Sequence, residues 1–100
     1  MRILAKSRLV AFWESNPSYA DSETPLTEWY SHFIKAEYTT PQAIKQVFGT
    51  ASILKGGRVV FNIGGNKYRL IVAFDFDRQI GFIKFIGTHS QYDHVDAGSI

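Results

Sequence analysis

Three cations, Lys67, Arg69 and Lys84, stand among β-branched and aromatic residues in the second half of the chain, and His89, Tyr92 and Asp93 follow within one short segment. Side chains of these types can hold an anion and move a proton. A guanidinium gives two parallel hydrogen bonds to a phosphate, an ammonium adds positive potential, and an imidazole exchanges protons near neutral pH. Asn62 and Asn66, in the same stretch, add amide groups able to meet ribose or phosphate. Whether these groups meet depends on the elements that carry them.

The first half reads as helical. Leu9, Phe12 and Trp13 recur at helical spacing between Ala5 and Ser15, and Asn16-Pro17 stops that helix. Asp21 or Ser22 can cap a second helix with Pro25 in its first turn, and Leu26, Trp29, Tyr30, Phe33 and Ile34 give it an apolar stripe to about Glu37. Thr40-Pro41 opens a short third helix through Ile44 and Val47, ended by Gly49. After Ala51 the pattern changes. Three antiparallel strands are expected over Arg58 to Ile63, Lys67 to Phe76 and Ile80 to Thr88, and the Arg2 to Leu4 segment can add an edge strand.

Closing the first hairpin on Gly64-Gly65 sets Asn62 opposite Lys67 and Val60 opposite Arg69; closing the second on Arg78-Gln79 sets Ala73 opposite Lys84 and Arg69 opposite Thr88. Period-two alternation then collects Phe61, Ile63, Tyr68, Leu70, Val72, Phe74, Ile83 and Phe85 on a core face. Asn62, Lys67, Arg69, Lys84 and Thr88 share the other face with Val60, Ile71, Ala73 and Ile86. The expected product is an open surface where cations converge. No acidic residue opposes them except distant Asp75, and unpaired like charges on neighbouring strands repel, which an RNA phosphate would relieve. The plain alternative is that these cations only solvate the free side of a half-buried sheet.

The composition sets limits on this reading. The chain has 100 residues, no cysteine and a net charge of +2, which suit one compact domain over 1–100 without disulfides. Arg2, Lys6, Arg8, Lys35 and Lys45 are balanced by five acids up to Leu54, whereas the six cations from Lys55 to Lys84 face only Asp75 and Asp77, so the positive excess lies with the strands. No stretch is apolar for long enough to cross a bilayer, and Lys6 and Arg8 interrupt any leader-like start. A cytoplasmic protein without membrane association is expected.

The run from Val59 to Leu70, containing Gly64-Gly65-Asn66-Lys67-Tyr68-Arg69, resembles the central hairpin motif of HigB-type toxins, and Phe85 to Asp93, with Thr88-His89-Ser90-Gln91-Tyr92-Asp93, resembles their C-terminal motif. Phe12-Trp13-Glu14, Trp29-Tyr30 and Thr40-Pro41 stand in the expected order, so the resemblance covers nearly the whole chain. It implies an α+β, RelE-like fold, with N-terminal helices packed on one face of a small twisted antiparallel β-sheet. It also implies a messenger-RNA interferase toxin that works on messages held in the ribosomal A site, on the small subunit. The same resemblance implies neutralisation by a HigA-like helix-turn-helix antitoxin. No cofactor is implied.

Metal-free RNA cleavage needs the adjacent 2′-hydroxyl to attack phosphorus, with one group removing its proton, another protonating the leaving 5′-oxygen, and cations stabilising the added charge. Arg69 is the expected phosphate clamp, His89 the acid or base, Tyr92 a proton donor or stacking ring, and Asp93 a group that orients a histidine or takes a proton. Asn62, Asn66, Lys67 and Lys84 are expected to bind RNA or phosphate. Each has a structural alternative: Asn66 as a turn residue, Asp93 as a terminal cap, Tyr92 as packing on the sheet edge. RelE itself carries a lysine at about the position of Asn62, so its lysine-rich base is not carried over to this chain. A metal site built from Asp75, Asp77, His89, Asp93 and Asp96 is disfavoured, because the two aspartates of the second turn lie at the far end of the sheet from His89.

Overall fold

The computed structural model describes residues 1–100. Helix α1 (Lys6–Ser15) buries Leu9 and Phe12, and helix α2 (Glu23–Lys35) buries Leu26, Trp29 and Phe33 on the stripe that its spacing predicts. Phe33 is the hub. Its ring centroid lies 5.4 Å from that of Phe48, 5.5 Å from Phe61 and 5.5 Å from Phe74, so one helical residue joins the helical layer to two strands. Helix α3 (Pro41–Val47) starts as expected, with the Thr40 hydroxyl accepting from the Ala43 amide at 3.2 Å and Pro41 in the first turn.

Between α1 and α2 lies a 3-10 helix, Pro17–Ser22, that apolar periodicity does not announce. There the Ser22 hydroxyl is buried and donates to the Tyr19 carbonyl at 2.7 Å, so it does not cap α2. Asp21 is free to face the sheet.

Five strands form the sheet, in the order β1-β5-β4-β3-β2: β1 (Arg2–Leu4), β2 (Ser52–Ile53), β3 (Arg58–Ile63), β4 (Tyr68–Asp75) and β5 (Ile80–Thr88). The α+β architecture stands as expected, with one amendment. Strand β1 pairs parallel to β5, because the chain leaves it directly into α1 instead of turning back through a hairpin.

The first hairpin differs from the expected pairing by two residues. Gly64 and Gly65 do take the left-handed conformation, at φ of 62° and 71°, yet the loop extends through Lys67, and Ile63 pairs with Tyr68 and Asn62 with Arg69. Two residues is the side-chain period, so both faces survive the shift. Strands β4 and β5 also start two residues away from the expected pairing, with Asp75 opposite Ile80. The register then breaks between Ile71 and Val72: Val72 pairs with Ile83 but Ile71 with Phe85, which leaves Lys84 as the extra residue of a bulge. Beyond the bulge the faces of β5 are exchanged. Phe85 therefore leaves the core face, Ile86 packs against the core, and Thr88 stands opposite Tyr68 instead of Arg69.

The second face is less open than its sequence pattern suggests. Val60 and Ile71 are buried there, and the chain after β5 folds back across it, with Tyr92 beside Phe85 and the Arg58 guanidinium donating to the Ile100 main-chain oxygen at 2.6 and 2.9 Å. No helix is long and apolar enough to cross a membrane.

Candidate functional site

Arg69 is the anchor of the site. It sits near the start of β4, between Asn62 on β3 and Gly87 on β5, and only 9% of its surface is exposed. Its Nη1 donates to the carbonyls of Asn66 at 3.1 Å and Tyr68 at 3.2 Å, and its Nη2 donates to Asn66 Oδ1 at 2.9 Å. All three acceptors are neutral, and no carboxylate pairs with it. The Nε group makes no hydrogen bond and is not among the fully buried atoms. A guanidinium this far out of water without a counter-charge is costly until an anion pairs with it, which makes Arg69 the candidate anion-binding group of this face.

Asn66 thus belongs to the site through Arg69, whose orientation it sets. Asn62 pairs directly across from Arg69, and its Nδ2 donates to the Thr50 carbonyl at 3.3 Å.

The C-terminal motif reaches the same end of the sheet. Thr88 caps the short helix α4 (His89–Tyr92) in a reciprocal box, its hydroxyl accepting from the Gln91 amide at 3.1 Å while its own amide donates to Gln91 Oε1 at 2.9 Å. The His89 amide donates to the Lys67 carbonyl at 3.2 Å, which ties α4 to the loop that holds Arg69. Gly87, opposite Arg69, leaves no room for a side chain: a Cβ there would lie 2.6 Å from Phe85 Cζ and 2.7 Å from Gln91 Oε1. His89 Nδ1 lies 3.7 Å from Asp93 Oδ1, a distance that suits an ion pair with the protonated ring and exceeds a hydrogen bond. Tyr92 sits 6.5 Å, centroid to centroid, from Phe85 on the Arg69 side of the sheet.

Two cations do not join this group. Lys67 lies in the hairpin loop and pairs with Asp21, which also accepts from the Tyr68 hydroxyl. The expectation that Lys67 lacks an acidic partner is therefore corrected, and so is its place on the open face. Hydrogen bonds from Lys67 first and Tyr68 second hold the Asp21 carboxyl below the usual carboxylate range, and the same pairing raises Lys67. Burial first, then the bond to Asp21, raises the Tyr68 phenol. Lys84, the bulge residue, turns its Nζ over Phe82 at 5.9 Å from the ring centroid, toward the far turn and away from Gly87.

Two supporting residues have partners that no local pattern announces. Asp21 is 46 positions from Lys67, and Arg8 donates to the Ile83 carbonyl beside the bulge at 2.7 Å from 75 positions away, so neither leaves a local signal. Gln91 was legible, because Thr88-x-x-Gln91 is the capping-box pattern. Phe61 and Tyr68 are both buried, which removes the base-stacking surface that a purely RNA-binding module would need. Asp75 pairs with Ile80 at the far turn, away from His89, and no three acidic or histidine side chains gather as metal ligands.

The glycine hairpin, its buried arginine and the capped histidine segment are the parts on which the resemblance to known toxins rests, and comparison with known proteins agrees. The chain is similar to the mRNA interferase toxin HigB of Escherichia coli strain K12, 28% identical over 89 residues that cover 87% of this chain and 86% of the relative. It is similar to the same extent to the mRNA interferase HigB of Shigella flexneri. The mRNA interferase HigB of Escherichia coli O6:H1 is 26% identical over 97 residues, 95% of this chain and 91% of that protein. A family described as HigB_toxin, RelE-like toxic component of a toxin-antitoxin system, matches residues 22–95, from the start of α2 to just past α4. With the hairpin and the C-terminal motif both inside that span, the chain belongs to the HigB toxin family.

Proposed function

We propose that this toxin is an endoribonuclease that cuts messenger RNA at the Arg69 site, without a metal, by attack of the 2′-hydroxyl on the adjacent phosphorus. The observation that carries the reading is the guanidinium of Arg69, nine-tenths buried, bonded only to neutral oxygens and without an acidic partner. Nη1 and one N–H of Nη2 are occupied in fixing its plane, which leaves Nε–H and the second N–H of Nη2 for phosphate oxygens. As the pentacovalent centre forms, negative charge grows on the non-bridging oxygens, and a cation already oriented and partly desolvated stabilises it without reorganisation.

His89 exchanges the protons. It takes the proton of the 2′-hydroxyl or gives one to the departing 5′-oxygen, and Asp93 steadies the charged imidazole across the 3.7 Å between them. Tyr92 borders the reacting linkage as a proton donor or as a ring for an unstacked base. Asn62 meets ribose or phosphate from the neighbouring strand, Asn66 acts by holding Arg69, and Lys84 supplies potential to RNA beyond the cleaved linkage, whereas the charge of Lys67 is neutralised by Asp21. The products are a cyclic 2′,3′-phosphate and a free 5′-hydroxyl. The toxin works in the cytoplasm on messages engaged at the ribosomal A site, and a HigA-like helix-turn-helix antitoxin silences it.

Incubating the chain with ribosomes and a message, and mapping new 5′ ends, tests the reading. Wild type should generate discrete ends, and Arg69→Ala and His89→Ala, each checked for folding by circular dichroism, should not. Equal cleavage by both variants would overturn the site.

A further inference from the structure

The face that carries Arg69 has a second feature at its other end. Alternation along β4 puts Arg69, Ile71 and Ala73 on one side, and the pairing sets Leu4, Phe82, Ala73 and Arg58 in one row across β1, β5, β4 and β3. Phe82 therefore shares the face of Arg69, while its neighbour Ile83 points the other way, into the core. From Arg69 to Ala73, the cross-strand partner of Phe82, is about 13 Å along the strand.

Phe82 is the ring that this protein leaves in solvent. Of its eight phenylalanines the other seven are buried or half-buried, whereas Phe82 is 38% exposed. Half-buried Leu4, Ala73 and Ile80 flank it. The Lys84 ammonium stands 5.9 Å from its centroid and forms no ion pair. Arg2, exposed and opposite Ile80, has no acidic partner either. The acid on this side, Asp75, is paired with Arg78 at 3.8 Å, and Arg58 is held by the Ile100 main-chain oxygen, so neither enters the balance.

An exposed aromatic face beside uncommitted cations is the pairing that single-stranded nucleic acid uses, with bases on the ring and phosphates on the charges. An apolar protein segment would cover the ring and leave both cations unpaired. We infer that Phe82 and Lys84 form a second RNA subsite, in which Phe82 stacks a base of the strand held at Arg69 and Lys84 meets a phosphate beside that base. The lysine that stands over the ring in the free protein exchanges a weak, exposed cation–π contact for that phosphate and uncovers the face. One such platform does not make a purely RNA-binding module; it holds the strand on one side of a cleavage site. The inference rests on the proposed RNA cleavage, but its binding chemistry is testable alone.

The test follows a short single-stranded RNA, methylated at its 2′-hydroxyls so that it binds without being cut, by fluorescence anisotropy against the folded chain at several salt concentrations. Phe82→Ala and Phe82→Leu, each checked by circular dichroism, should weaken binding about tenfold or more, the size of one lost stack, with the salt dependence unchanged. Phe82→Trp should bind as tightly as wild type or more tightly. Lys84→Ala should lower the slope of log affinity against log salt by about 0.7, one phosphate contact fewer. Wild-type affinity in Phe82→Ala or Phe82→Leu overturns the subsite, as does a wild-type protein that binds no such RNA. A Phe82→Ala variant that loses only the antitoxin overturns it too, and makes the patch a protein contact. Binding that depends on Phe82 in a protein that cuts no RNA upholds the subsite and rejects the cleavage reading; cleavage with RNA affinity indifferent to Phe82 does the reverse.

Discussion

Arg69 carries more of the functional reading than its sequence position suggests, because the hairpin loop folds back to bind it. The guanidinium uses the Asn66 carbonyl, the Asn66 side chain and the Tyr68 carbonyl to set its plane, and lysine has no planar fork to do the same. Arg69→Lys should therefore keep the charge yet lower the cleavage rate about 100-fold, in the range seen when one preorganised electrostatic donor is lost. Asn66→Ala leaves the guanidinium in place with one fixing bond fewer. A fall of about tenfold is expected, equivalent to roughly 1.4 kcal/mol of transition-state stabilisation. Single-turnover cleavage with circular dichroism as the folding control separates the two. Equal activity of wild type and Arg69→Lys would mean that charge alone, not geometry, matters at this position.

At the scale of elements, one contact holds the hairpin loop and another the C-terminal motif. The first is the Asp21 clamp, in which the 3-10 helix holds Lys67 and Tyr68. The Asp21 carboxyl is lowered in the folded state, so its contribution to stability is complete above the ordinary carboxylate range and is lost as pH falls through the lowered value. Lys67 is raised, so its contribution is complete below the ordinary lysine value and is lost as pH rises through the raised one. Denaturant midpoints measured against pH should fall on both sides of that window, and Asp21→Asn should flatten the acid limb. The second contact is the close approach at Gly87. Gly87→Ala must displace the Phe85 ring or the Gln91 amide that closes the capping box, and overpacking of this kind costs about 1–3 kcal/mol. Because α4 carries His89 and Tyr92, cleavage should fall further than the stability loss explains. Chemical unfolding and cleavage by the same preparation will show whether the two effects part.

For the whole molecule, one apolar cluster draws on β1, all three long helical segments and β3, β4 and β5. A core shared so widely should unfold as a single domain. Phe33 touches both layers through Phe48, Phe61 and Phe74, and Phe33→Ala should cost about 3–5 kcal/mol, a large part of the roughly 5–15 kcal/mol that holds a small protein folded. Tryptophan fluorescence and far-ultraviolet circular dichroism should report one coincident transition for wild type and a much lower midpoint for the variant. Separate transitions would mean that the helical and sheet layers fold apart.

The elements and most of the core were legible in the sequence itself, because apolar periodicity and turn residues are local. Strands β3 and β5 match their expected bounds, and Phe61, Tyr68, Leu70, Val72 and Phe74 all lie on the face that alternation assigns them. The candidate site was legible only as residue types: Arg69 with Asn62 on one face, and His89, Tyr92 and Asp93 at the adjoining strand end. Tertiary structure alone decided which of these groups meet. A single extra residue at Lys84 exchanges the faces of half a strand, which moves Phe85 and Thr88 to sides that no count from the turn foretells. Partners distant in sequence, Asp21 for Lys67 and Arg8 for the bulge, then fix the charges, because an ion pair across 46 positions depends on where the whole chain folds and leaves no mark in the residues around it.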